Sequence, residues 1–127
     1  MVLLWNYCHY RSDANDSRRL AAAKSSEIYA LFASPPPRDF SISLAGMGKA
    51  VRVQTTRFDR SHGSVFDAWV AMGAPAHILP ADLAVLRRSA ELAVRVERLP
   101  LAGDAPALQI SVPAFGVTLL EISQSAI

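Results

Sequence analysis

The stretch "TTRFDRSHGSVFDAWVAMGAPAHILPADLAVL", residues 55–86, changes its hydrophobic period twice, and that change decides the fold class. Just upstream and at its start the period is two: Val51, Val53 and Thr55 alternate with polar residues, as in a half-buried strand. From Val65 the period becomes helical, with Val65, Phe66, Trp69 and Val70 on one face and Met72 one turn further. Ser61 or Gly63-Ser64 can cap this helix, Gly73 suits the left-handed residue after its end, and Pro75 prevents continuation. A second helix opens on Pro80, with Asp82 in its positive first turn and Arg87-Arg88 in its negative last turn. Its apolar side is Leu79, Leu83 and Leu86. Both helices are short and sit on what reads as a loop between strands.

Outward from this insert the chain is β in character. "FSISL" puts Phe40, Ile42 and Leu44 on one face, "AGMGK" supplies a glycine-bearing turn, and "AVRVQTTRF" alternates after it. The expectation is a hairpin over residues 39–58. The Gly-x-Gly in that turn lacks a third glycine, a Gly-Lys-Ser/Thr ending and a strand-to-helix setting, so it is not a phosphate loop. Downstream of the 59–90 helical insert, "LAVRVERL", "ALQISV" and "GVTLLEI" read as strands within 91–123, parted by "PLAGDAP" and "PAFG". "VLLWNY", residues 2–7, is a bare apolar run and the first strand. The fold class expected is mainly β: one antiparallel β-sandwich spanning 1–127, with the two helices inserted between strands. A chain that opens inside a core strand leads one to expect residues before it.

Residues 11–38 read as an insertion. "SRRLAAAKSSEIYALFAS" has Leu20, Ala21, Lys24, Ile28, Leu31 and Phe32 near helical spacing but no clean cap, so the spacing admits a helix there, and "SPPPR" ends any helix. A packed or partly disordered loop is favoured over a membrane-surface or partner-binding helix.

Hydrophobic residues make up 51% of the chain and charged ones 19%, which excludes a disordered chain and leads one to expect a compact, well-buried domain. A net charge of +2, with arginines scattered, offers no nucleic-acid footprint. The one cysteine, Cys8, excludes an internal disulfide and a thiolate metal cluster. Despite Tyr7 and His9 beside it, Cys8 reads as a small buried hydrophobe. With no signal peptide and no apolar run of spanning length, the expected compartment is the cytoplasm, with no membrane partner. No cofactor is expected.

Asp59, His62 and Asp67 invite a metal reading, and His62 with Asp59 a small-hydrolase reading. A metal needs three or four convergent ligands, and a triad needs a nucleophile better placed than Ser61 or Ser64. The expected role of Asp59 and His62 is to hydrogen-bond backbone amides and fix a tight turn, so no metal and no catalytic residue is assigned. Trp69 reads as a core anchor and His77 as solvated. Trp5, Trp69 and Tyr29 are the candidate sugar platform if the chain is a free-standing carbohydrate-binding module. Glu27, Glu91, Glu97 and Glu121 show no convergent glycosidase pair.

"RFDRSHGSVFDAWVAMGAPAHILPADLAVLRRSAEL" resembles the C-terminal region of glycoside hydrolase family 39, the β-xylosidases and their α-L-iduronidase relatives. That family shows Tyr-Arg-hydrophobic-Asp-x-x-His-Ser-Asn-x-Tyr-x-x-Trp, then x-Met/Leu-Gly-x-Pro, then a proline followed by a leucine. Arg57, Asp59, His62, Phe66, Trp69, Met72, Gly73, Pro75, Pro80 and Leu86 stand at the matching positions. "VLLWNY" resembles the family's "VLVWNY", and "VPAFGVTLLEI" its closing "LPRxxVSLLEL". The sequence departs from the pattern at Thr56 (Tyr), Gly63-Ser64 (Ser-Asn), Leu79 (a capping Thr) and throughout 11–38. The resemblance implies an accessory β-sandwich that packs beside a catalytic (β/α)8 barrel. It also implies that Arg57, Asp59, His62, Phe66, Trp69, Gly73 and Pro75 are structural. A retaining glycosidase needs two carboxyls about 5 Å apart, and in this family both lie in the barrel. The implied partner is such a barrel, in cis or in trans, or a second copy of the chain through the uncovered face.

Overall fold

The computed structural model describes residues 1–11, 17–103 and 106–125. Residues 12–16 of the expected insertion and 104–105 of the "PLAGDAP" connection lie outside the described residues.

Among the described residues six strands form two antiparallel sheets. They are β1 (Val2–Trp5), β2 (Arg38–Ser43), β3 (Ala50–Phe58), β4 (Ala93–Pro100), β5 (Ala107–Val112) and β6 (Val117–Gln124). The larger sheet has the order β1-β6-β3-β4, and the smaller is the pair β2-β5. The mainly β sandwich expected from the alternation is the fold observed. Its core is the inward set Leu4, Val51, Val53 and Leu120 from the larger sheet, with Val112 and Leu44 from the smaller side. Phe40, Ile42, Leu108 and Ile110 close over them. Each strand contributes alternate residues to this layer, which is why β-branched and leucine side chains recur at every second position.

The 39–58 hairpin does not form. β2 pairs with β5 (Phe40 opposite Ile110), whereas β3 pairs with β4 and β6, so "AGMGK" carries the chain from one sheet to the other. Gly46 and Gly48 both take φ near +79° (78° and 79°), and Met47 drops onto the core between them. A two-residue hairpin turn keeps both strands in one sheet; this longer arch spans the ~10 Å between layers instead. Period-two patterning is the same for both arrangements.

Among the described residues three helices and a 3-10 segment decorate the sandwich: α1 (Ser17–Ala22), the 3-10 helix Ser25–Leu31, α2 (Phe66–Ala71) and α3 (Pro80–Ser89). The single helix suggested by spacing in the insertion is thus two short pieces. The strap they belong to is zipped at its neck, where Arg11 N–H donates to Leu31 O (2.9 Å) and Ala33 N–H to His9 O (2.8 Å). In the 59–90 insert, Gly73 takes φ 87° after α2 and Pro80 opens α3, as the spacing required. Of the apolar side expected for α3, Leu86 is buried while Leu79 and Leu83 are exposed. Val65, placed on the packed face of α2 by periodicity, is exposed too.

Burial is thinner than composition suggests. Among the described residues nine hydrophobic side chains are buried, against sixteen large ones that are exposed. No helix among them is long and apolar enough to cross a membrane.

Candidate functional site

At the end of β3 the chain must leave the sheet, and Asp59 organises the exit. Asp59 and His62 exchange backbone hydrogen bonds, Asp59 N–H to His62 O at 2.8 Å and His62 N–H to Asp59 O at 3.1 Å. The Asp59 carboxylate, 4% exposed as a residue, accepts from Ser61 N–H (2.9 Å), His62 Nδ1 (2.9 Å) and Arg57 Nη2 (3.0 Å). Burial opposes ionisation of this carboxyl. The His62 and Ser61 bonds and the Arg57 charge outweigh it, and the group titrates below its ordinary value. Among the described residues no serine hydroxyl bonds to His62, and no three His, Cys, Asp or Glu side chains gather at metal-binding distance. What the arrangement does is hold a turn.

The other motif residues continue this clamp. Trp69 is half-buried and donates its indole N–H to Pro75 O at 3.0 Å, locking α2 onto the turn made by Gly73 and Ala74. Phe66 lies 5.8 Å from the Trp69 ring and meets Tyr29 edge-on at 4.8 Å. Glu97 pairs with Arg95, and Glu121 accepts from Gln54; by strand register they lie on opposite faces of the larger sheet. His77 is exposed.

A second region was not assembled by sequence reasoning. A cleft of about 450 Å³ opens between the end of β1, the strap and the β5–β6 turn. Trp5, Tyr7, Tyr29, Phe32 and Phe115 line it. Two of the three sugar-platform candidates, Trp5 and Tyr29, therefore share one cleft, while Trp69 is not among its lining residues. Asn6 ties the floor together: its Nδ2 donates to Pro36 O (3.0 Å) and Val112 O (3.2 Å), and its N–H to Gly116 O (3.0 Å). Buried Cys8 accepts from Phe115 N–H at 3.3 Å. An Asn closing an apolar run was the available signal for such side chain–backbone stitching. Arg60 fastens strap to insert, forking onto the Asp67 carboxylate (Nε at 2.8 Å) with its guanidinium 4.2 Å from the centre of the Tyr29 ring.

The third region is the outer face of the larger sheet. Register aligns Leu3, Leu119, Thr56 and Val94 in one row across the four strands, and Trp5, Val117 and Phe58 in the next, with Leu92 beside Phe58 at the start of β4. An outer face of an antiparallel sheet is ordinarily polar. Here Leu3, Trp5 and Val94 are 54%, 55% and 57% exposed, and Phe58, Leu92 and Val96 are exposed as well.

Among solved structures the chain is similar to a monomeric β-xylosidase from Caulobacter crescentus CB15, with a TM-score of 0.65 at 15% identity. That match covers 94% of this chain and 23% of the β-xylosidase. A GH39 enzyme from Xanthomonas axonopodis pv. citri matches with a TM-score of 0.55 at 19% identity, over 73% of this chain and 19% of that one. What is shared is a fold. The chain spans about a fifth of the length of the glycosidases it resembles. No protein-family model matches the chain, and no curated protein does.

Proposed function

We propose that the chain is a non-catalytic accessory β-sandwich of a family-39-type glycosidase, whose outer sheet face is built to lie against a catalytic barrel. The carrying observation is the lopsided fold match: nearly all of this chain superposes on less than a quarter of a β-xylosidase. The surface supports the same reading. The accessible area is 8728 Å², whereas a compact monomer of 13.7 kDa exposes about 6600 Å². The row Leu3, Leu119 and Val94 of the outer face is the natural contact, because Leu3 and Val94 stand more than half exposed, whereas Trp5 and Val117 of the next row line the cleft.

Asp59, His62 and Arg57 are then mortar for the loop that leaves β3, and parent chemistry, hydrolysis of an O-glycosidic bond, resides elsewhere. The expected result is no turnover of 4-nitrophenyl β-D-xyloside by the purified chain above that of a buffer blank. Turnover that survives purification and disappears in His62→Ala would instead favour the small-hydrolase reading.

A further inference from the structure

We infer that the aromatic cleft between β1, the strap and the β5–β6 turn is a binding site for a neutral pyranose ring. The choice of a sugar rests on the glycosidase-accessory role proposed above; the existence of a ring-sized site does not. Its volume, about 450 Å³, falls in the range of small-molecule sites. The walls stand ready without a ligand. Phe115 meets Tyr29 at 4.7 Å and Phe32 at 5.6 Å, and Phe32 stacks on Tyr10 at 4.5 Å. Phe115 is held at φ 60°, a left-handed conformation that disfavours a bulky residue, and this backbone delivers its ring to the cleft.

The lining states the ligand class. No charged side chain borders the cleft, and the polar groups at its floor, the Asn6 amide nitrogen and the Cys8 sulfur, already have partners. An ionic ligand would find no counter-charge. A ligand that needs buried hydrogen bonds would find few. A pyranose with equatorial hydroxyls meets both conditions: its axial C–H bonds pack on the aromatic rings that line the cleft, and its hydroxyls stay at the open mouth in water. With so few polar contacts, binding is weak, roughly millimolar.

The two tryptophans give the test its own control. Trp5 lines the cleft, whereas the indole N–H of Trp69 is tied to Pro75 O and lies outside it. In ¹H–¹⁵N spectra of the full chain titrated with xylotriose, the Trp5 indole and the Gly116 amide shift saturably while the Trp69 indole stays still. Tyr7→Ala removes a ring that is largely exposed, so the fold is kept, and weakens binding roughly three- to tenfold. Trp5→Ala, followed at Gly116, does the same. The inference is overturned if xylotriose moves neither reporter, if both indoles move together, or if 4-nitrophenol shifts Trp5 where xylotriose does not. None of these readouts depends on hydrolysis, so a failure of the accessory role, seen as xyloside turnover, is distinguishable from a failure of this site.

Discussion

Asp59 is the residue on which the helical insert is hung. Replacing it with alanine deprives Arg57, the Ser61 amide and His62 of their common acceptor. The expected loss is about 2–3 kcal/mol of unfolding free energy, read as a lower midpoint in chemical denaturation. Its titration has a sign that can be checked. The folded carboxyl is depressed below its ordinary value of 3.8, so its stabilising contribution is present above that value and lost as the pH falls through the folded one. The melting temperature of Asp59→Asn should therefore decline less between pH 6 and pH 3 than that of the parent. An equal decline would show that the carboxylate is not the group responsible. Gly63 is constrained differently: at φ 80°, an added Cβ would sit 2.6 Å from the Phe58 ring and 2.7 Å from Leu92. Gly63→Ala should cost about 1–3 kcal/mol for the backbone alone, more if Phe58 cannot shift. Which residues matter at this exit was legible in the run Arg57 to His62. That the Arg57 and His62 side chains and the Ser61 amide converge on one carboxylate was not, because the turn that brings them together is made by the bonds themselves.

Among the elements, α3 starts without a side-chain cap. Leu79 occupies its N-cap in the extended conformation a cap requires, but its side chain offers no acceptor and is 64% exposed. Leu79→Thr should stabilise the chain by about 1 kcal/mol, visible as a rise in melting temperature, and a fall would mean that Leu79 packs more than its exposure suggests. The helix itself was legible because proline, acidic and basic residues mark its two ends in the order the helix dipole favours. The strap was not. Its apolar residues near helical spacing answer to Tyr10, Phe66 and Phe115 on other elements, and these contacts split the expected helix into two pieces. The arch at Gly46 and Gly48 was misread for a related reason: alternation says which residues face inward, but not which sheet they face inward from.

Taken whole, the molecule carries more apolar surface than its own core uses. Light scattering after size exclusion should find reversible self-association at high protein concentration, driven by the outer sheet face. Substituting Leu3→Lys together with Val94→Lys should return the chain to monomer at all concentrations without lowering its melting temperature, since both side chains project away from the core. A parent chain that is strictly monomeric at every dilution would remove the apolar face as an argument for a docking role.

The sequence by itself determined the class of fold, the inward-facing residues of the strands, the end of α2 at Gly73 and both ends of α3, but not the start of α2, which is capped by Val65 rather than by Ser61 or Gly63-Ser64. Each of these depends on spacing along a few consecutive residues and on the allowed backbone angles of glycine and proline. The tertiary structure alone decided the partners. It sent β2 to β5 rather than to β3, gathered Trp5, Tyr29 and Phe115 into one cleft, and left Leu3, Phe58 and Val94 facing outward. Contacts between residues far apart in the chain are settled by which surfaces can be buried together, and that competition leaves no local period for a sequence to display.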